Sequence, residues 1–138
     1  MRLVIVGSME KAWTPEEVPM VKGLIRDVIE QYRTDDQVKE FIVGSGESPS
    51  GGVDIWVHEV CDAMGIPFWP FPPKFRGWAA YKERDQQMAD WCTALVRIKS
   101  VRSKTYGSGW TRDRAREQGK LTEEHVPTLS GWLVLSER

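Results

Sequence analysis

Four times along this chain a short apolar run stops at a turn and gives way to a longer stretch whose apolar residues recur at helical spacing. The first run, Leu3-Val4-Ile5-Val6, carries no polar interruption and is closed by Gly7-Ser8, the pattern of a strand covered on both faces. Thr14-Pro15-Glu16-Glu17 then supplies a helix N-cap, a proline at the first helical position and acids in the first turn. Behind it, Val18, Val21, Leu24, Ile25, Val28, Ile29 and Tyr32 fall on one side of a helix. Phe41-Ile42-Val43 reads as a second strand ended by Gly44-Ser45-Gly46. Asp54 to Met64 reads as a helix that Gly65 stops. Ile66–Phe71 reads as a third strand, which Pro67 and Pro70 push towards a sheet edge. Gly77 to Trp91 has helical spacing, Thr93–Ile98 is a fourth strand, and Ser108 to Gln118 is a helix closed by Gly119. Leu133-Val134-Leu135, or the segment around Val126, offers a final strand.

Strand and helix in alternation argue for a parallel sheet with helices on both faces. The expected class is α/β, a three-layer α/β/α Rossmann-like fold with a mostly parallel sheet. At 138 residues the chain supports one core, so residues 1–138 are expected to form a single domain. The proline cluster Pro67, Pro70, Pro72, Pro73 reads as a stiff loop entry rather than a linker. A content of 41% hydrophobic and 28% charged residues is that of a packed globule. No apolar run approaches the roughly 20 residues of a membrane-spanning helix. Met1-Arg2 leads directly into the first strand without the pattern of a secretory signal, so the expected location is cytoplasmic, with no membrane partner. Cys61 and Cys92 are accordingly expected as reduced core residues.

In sheets of this kind a ligand sits outside the carboxyl ends of the strands, near the point where strand order reverses. Gly7-Ser8, Gly44-Ser45-Gly46 and Gly107-Ser108-Gly109 all fall in that position. Such turns let backbone N–H groups approach a phosphate, and equally serve as plain turns wherever φ must be positive. Charge adds a second pointer. Residues 1–96 hold ten Lys or Arg against fifteen Asp or Glu, whereas residues 97–120 hold eight basic residues against Asp113 and Glu117. That stretch is either a solvated face or a collector of anions, phosphate or nucleic acid.

Other constellations are missing. His58, His125 and the cysteines lack metal-ligand spacing, so no metal is expected. No nucleophile elbow is present, and no G-x-G-x-x-G follows the first strand, so neither a serine hydrolase nor a nicotinamide cofactor is expected. Trp56, Trp78, Trp91 and Trp132 read as core anchors. Trp13 and Trp110 lie beside glycine turns, where they either stack on a base or pack against the protein. Trp69 and Phe71, between prolines, are candidates for a dimer contact.

Four local patterns in order resemble the SLOG group, the Rossmann-like superfamily that includes the LOG phosphoribohydrolases and the DNA-processing protein A of natural transformation. Gly7-Ser8 followed by Trp13-Thr14 resembles the opening of its short stand-alone members. Ser50-Gly51-Gly52-Val53-Asp54, after Gly44-Ser45-Gly46, resembles the second glycine turn, where "GVD" opens a helix. Glu83-Arg84-Asp85-Gln86-Gln87-Met88 resembles the Arg-centred block, and Tyr106-Gly107-Ser108 ahead of Ala115–Lys120 resembles the "GGxGT" phosphate loop and its helix. The resemblance implies that Gly7, Ser8, Gly44, Ser45, Gly46, Gly52, Gly107, Ser108, Gly109 and Thr111 surround a nucleotide's phosphate and sugar, with Arg84 pairing the phosphate and Asp85 beside it. Arg84 has a second reading, an ion pair with Glu83 or Asp85, and Asp54 is either a helix N-cap or a ribose ligand. LOG enzymes carry a glutamate three residues after the loop threonine. Here that register gives Thr111, or Arg114 if Thr111 is the loop threonine, and neither is a carboxylate.

The expected function is therefore binding of a nucleotide or nucleotide-derived metabolite, without the usual catalytic glutamate and with no catalytic residue assigned. An alternative is a nucleoside 5'-monophosphate phosphoribohydrolase, or a related N-glycosidic transfer, with Asp85 or Asp113 as an unconventional acid. A second alternative is a nucleic-acid binder like the DNA-processing branch. The family's habit and the aromatic–proline segment point to a homodimer.

Overall fold

The computed structural model describes residues 1–33, 40–75, 77–104 and 107–137, the last six as backbone alone. Six strands form one sheet: β1 (Arg2–Gly7), β2 (Ile42–Gly46), β3 (Phe68–Phe71), β4 (Ala94–Ile98), β5 (Leu121–Thr128) and β6 (Gly131–Glu137). Four α-helices connect the first five: α1 (Glu17–Arg33), α2 (Val53–Met64), α3 (Trp78–Trp91) and α4 (Gly107–Glu117). The spatial order is β3-β2-β1-β4-β5-β6, with β1 to β5 parallel and β6 antiparallel on β5. This is the three-layer Rossmann-like α/β/α architecture. Strand order reverses between β1 and β4, which places the ligand crevice of such sheets beyond Gly7 and Ile98.

Alternation along the central strands divides the core in two. Leu3 and Ile5 of β1 and Val96 and Ile98 of β4 pack with α1 and α2, on Val21, Leu24, Ile25, Trp56 and Val57. Val4, Val6 and Leu95 face the other way, onto Met88 and Ala89 of α3 and Ala115 of α4. Helix α1 starts at Glu17, two residues after the expected first helical position Pro15, and Glu17 Oε1 accepts the Thr14 N–H at 2.8 Å while pairing with Arg102. β3 is the sheet edge, as its prolines require. The end of β1 admits only glycine, because a Cβ on Gly7 would stand 2.2 Å from the Ile98 carbonyl oxygen.

Three expectations change. Gly44-Ser45-Gly46 does not end β2 as a turn; it is the carboxyl half of the strand, paired with Trp69, Pro70 and Phe71 of β3. The final strand is not one of two candidates but both, joined as the β5–β6 hairpin. Phe71 is buried in the α3–α4 layer and is no dimer contact, while Trp69 beside it is 56% exposed. Cys61 and Cys92 are buried free thiols, pushed by burial up to about 12 and about 11. Among the described residues no helix is long and apolar enough to cross a membrane. Tyr106 and the Trp132 side chain lie outside the described residues.

Candidate functional site

α3 buries an unusual face. Where α1 turns valine, leucine and isoleucine inward, α3 turns inward Ala80, Arg84, Asp85, Met88 and Ala89. The guanidinium of Arg84 donates from Nε to Asp85 Oδ1 at 2.9 Å and lies 5.3 Å from the Tyr81 ring centre. Both side chains are more than nine-tenths buried, so this is an interior ion pair and not the surface pair that sequence neighbours suggest. The Thr111 hydroxyl of α4 bonds the Gly107 carbonyl at 3.1 Å and also reaches the Asp85 carboxylate. Burial raises Asp85, against the opposing pull of Arg84 and Thr111.

Asp54, on the first turn of α2, completes the cluster. Gly52, with φ +81°, is the N-cap of that helix and makes no side-chain cap bond, so the N-cap reading of Asp54 gives way. Burial drives its carboxyl up to about 7. Arg84 pulls it down, Asp85 pushes it up, and a bond from the Gly7 N–H and the neighbouring Ser45 hydroxyl pull it down again. Even so, Asp54 Oδ1 and Arg84 Nη1 are buried without a hydrogen-bond partner. Both groups converge on Gly46: a Cβ there would lie 2.5 Å from Arg84 Nη1 and 2.9 Å from Asp54 Oδ2. Glycine at this strand end is what leaves the two side chains room.

These groups border a cavity of about 390 Å³, within the span of about 300–1,000 Å³ usual for small-molecule sites. Val6 and Gly7 line it from β1, Met9 from the following turn, and Ser48, Ser50 and Gly51 from the loop between β2 and α2. Asp54 forms part of the wall from α2, Trp78, Tyr81, Arg84, Asp85 and Met88 from α3, and Gly107, Ser108 and Thr111 from the first turns of α4. Of the residues marked in the sequence, Gly7, Asp54, Arg84, Asp85, Gly107, Ser108 and Thr111 thus meet at one place.

The rest do not line it, for identifiable reasons. Ser8 is absorbed by structure: its N–H donates to the Ile98 carbonyl (3.1 Å), its Oγ accepts the Ser100 N–H (2.9 Å), and its carbonyl takes the Val53 N–H and Trp13 Nε1. Ser45 Oγ donates to the Ile5 carbonyl at 2.5 Å. Gly44 is covered by rings, since a Cβ would stand 2.8 Å from Trp91. Gly46 acts through the space it leaves, Gly52 packs on the Ser8 carbonyl, and Gly109 is buried in α4. Ser108 borders the cavity, but its Oγ accepts from Arg97 Nε at 2.8 Å.

The tryptophans also sort themselves. Trp13 belongs to the α1–α2 core. Trp110 stands edge-on to Trp78, 6.3 Å between ring centres, with the Arg114 guanidinium 5.0 Å above it. Trp78, expected as a core anchor, is instead 48% exposed and borders the cavity. It and Tyr81 went unmarked as site residues, although their spacing to Arg84 and Met88 puts all four on one helical stripe. Met9, Ser48, Ser50 and Gly51 carry no signal of their own; loop closure brings them in.

The basic stretch does not face solvent as a bare row. Arg97 bonds Glu124 at 2.5 Å, Arg112 bonds Glu124 at 2.9 Å and Asp113 at 3.0 Å, Arg114 bonds Glu117 at 2.6 Å, and Arg102 pairs with Glu17. Lys120 Nζ caps α3 through the Asp90 carbonyl at 2.8 Å. Glu17 and Glu124, from outside residues 97–120, supply carboxylates that a local charge count misses. No cluster of histidine, cysteine and acidic side chains suited to a metal occurs among the described residues. No family model, curated protein or solved structure matches the chain, so its chemistry is read from its own residues.

Proposed function

We propose that the chain is a SLOG-like nucleotide-binding protein that takes a nucleotide or nucleotide-derived metabolite into the cavity between α3, α4, the end of β1 and the loop that leads from β2 into α2. The observation that carries this reading is that Arg84 and Asp54, two residues lining that cavity at the point of strand reversal, each keep a buried polar atom, Nη1 and Oδ1, without a hydrogen-bond partner. Leaving such atoms unpaired costs a fold on the order of 1–3 kcal/mol each, a cost offset when a ligand completes them. Trp78, Tyr81 and Met88 provide an apolar wall of the kind on which a base stacks. The N-terminal turn of α4 supplies the positive end of a helix for phosphate.

The experiment is a calorimetric titration with nucleoside 5'-monophosphates, preceded by mass spectrometry of small molecules that co-purify with the protein. Saturable binding that Arg84→Lys weakens at least tenfold supports the reading, because an ammonium cannot hold Asp85 and a ligand in one planar fork. Binding unaltered by that substitution sinks it.

One observation favours the hydrolytic alternative as a second reading. The carboxylate absent from the α4 register is present in space, because Asp54 borders the cavity with its carboxyl raised to about 7, a suitable range for general acid–base work. Release of free base from a nucleoside monophosphate, lost in Asp54→Asn, would establish it. Intact nucleotide after prolonged incubation would leave binding alone.

A further inference from the structure

The cluster at the floor of the cavity sets the direction in which a nucleotide enters, an inference that rests on the nucleotide reading above. Asp85, bonded by Arg84 Nε at 2.9 Å, offsets the guanidinium's charge, and Asp54, where it is ionised, takes the cluster to −1, while Arg97, Arg112 and Arg114 are already paired with Glu124, Asp113 and Glu117. A phosphate placed on Arg84 would find that charge already shared with Asp85 and would stand beside Asp54 in a water-poor recess, where like charges repel most strongly. The floor instead shows one acceptor atom, Asp54 Oδ1, and one donor atom, Arg84 Nη1, without partners, on two side chains that approach each other beside Gly46 through Asp54 Oδ2 and Arg84 Nη1. A hydroxyl group is both donor and acceptor, and a vicinal diol offers two of each. It can donate to the carboxylate and accept from the guanidinium, leaving neither unpaired and adding no charge.

We infer that the ligand is a ribonucleotide seated sugar-first, its 2',3'-diol between Asp54 and Arg84, with its phosphate held away from the floor at the first turn of α4. Discrimination follows from the same geometry. A ligand without the diol leaves both buried groups unpaired, and sites built to bond a hydroxyl reject analogues that lack it far more strongly than apolar pockets reject a missing methylene.

The test uses the full chain and two matched probe sets: adenosine, guanosine, cytidine and uridine 5'-monophosphates, and their 2',3'-dideoxy counterparts. For the base that binds, the ribonucleotide is expected to bind at least tenfold more tightly than its dideoxy partner. In Asp54→Asn that ratio is expected to fall below threefold. Equal affinities for the two sugars in the parent protein overturn the inference while leaving the nucleotide reading intact. A ratio unchanged by Asp54→Asn overturns it too, because the diol would then be read elsewhere. Should that variant lack a cooperative melt, the 2'-deoxy and 3'-deoxy nucleotides decide with the parent protein: each must lose at least threefold, and full affinity for both overturns the inference. No binding by any of the four ribonucleotides brings down the nucleotide reading and the inference together.

Discussion

The two faces of the sheet solve the same packing problem with different materials. Under α1 and α2 the filling is almost wholly hydrocarbon: Leu3, Ile5, Ile25, Ile29, Val57 and their neighbours, all buried. Under α3 and α4 the apolar cluster is smaller, and Arg84, Asp85, Arg97 and Thr111 are as buried as the residues around them. Hydrocarbon stabilises by leaving water, about 25 cal/mol per Å² of area, and needs no partner. A buried ion pair returns little net stability against a hydrophobic replacement and demands satisfied geometry. One face therefore holds the fold together, and the other spends stability on a recess with spare hydrogen-bonding capacity. The contrast places the candidate site more firmly than any single motif.

Substitutions can break that contrast or sharpen it. The largest effect is expected from Ile29→Ala on the hydrocarbon face, a loss of about 3–4 kcal/mol in urea unfolding with nucleotide affinity unchanged in the folded fraction. On the opposite face the double variant Arg84→Met/Asp85→Leu is expected to unfold at the same urea concentration as the parent or higher, by up to about 3 kcal/mol, while losing ligand binding. A clear destabilisation there would show the pair to be structural, and the contrast would fail.

Asp54 gives a pH-dependent version of the same comparison. Its carboxyl is raised in the fold from an ordinary value of 3.8 to about 7, so the folded state favours the protonated form. Its contribution is complete below about pH 4 and is lost as pH climbs to 7. Asp54→Asn, which cannot ionise, should therefore match the parent at pH 4 and exceed it by about 4 kcal/mol at pH 8, read from paired thermal melts. A stability difference independent of pH would mean that the carboxyl titrates alike in both states. The smallest expected effect is that of Ser108→Ala, about 1 kcal/mol of nucleotide affinity, because its hydroxyl oxygen already serves Arg97 and only its proton remains for a ligand.

Regular elements were legible wherever burial is one-sided and apolar. The stripe from Val21 to Tyr32 announces α1, and Leu3–Val6 announces a central strand, because in each case hydrophobic spacing is itself the cause of the structure. The site was legible in its motif residues, Asp54, Arg84, Ser108 and Thr111, but not in its wall. β5 was legible only as the segment around Val126, one of two candidates for a final strand, for a related reason. Glu123 and His125 bond each other at 3.2 Å with Tyr32 on Glu123, while Glu124 turns the other way to Arg97 and Arg112. A strand buried through paired charges shows no hydrophobic alternation to read.

What the amino-acid order determined by itself is the alternation of strand and helix, the edge position of the proline strand and the crevice at which strand order reverses, because each follows from local pattern and chain connectivity. Only the tertiary structure decided that Gly44-Ser45-Gly46 extends a strand, that the basic stretch finds its carboxylates on α1 and β5, and that Arg84 and Asp54 each keep one atom unpaired. Those outcomes depend on which side chains meet across long stretches of sequence, and a charge or a glycine acquires its role from the partner opposite it in space.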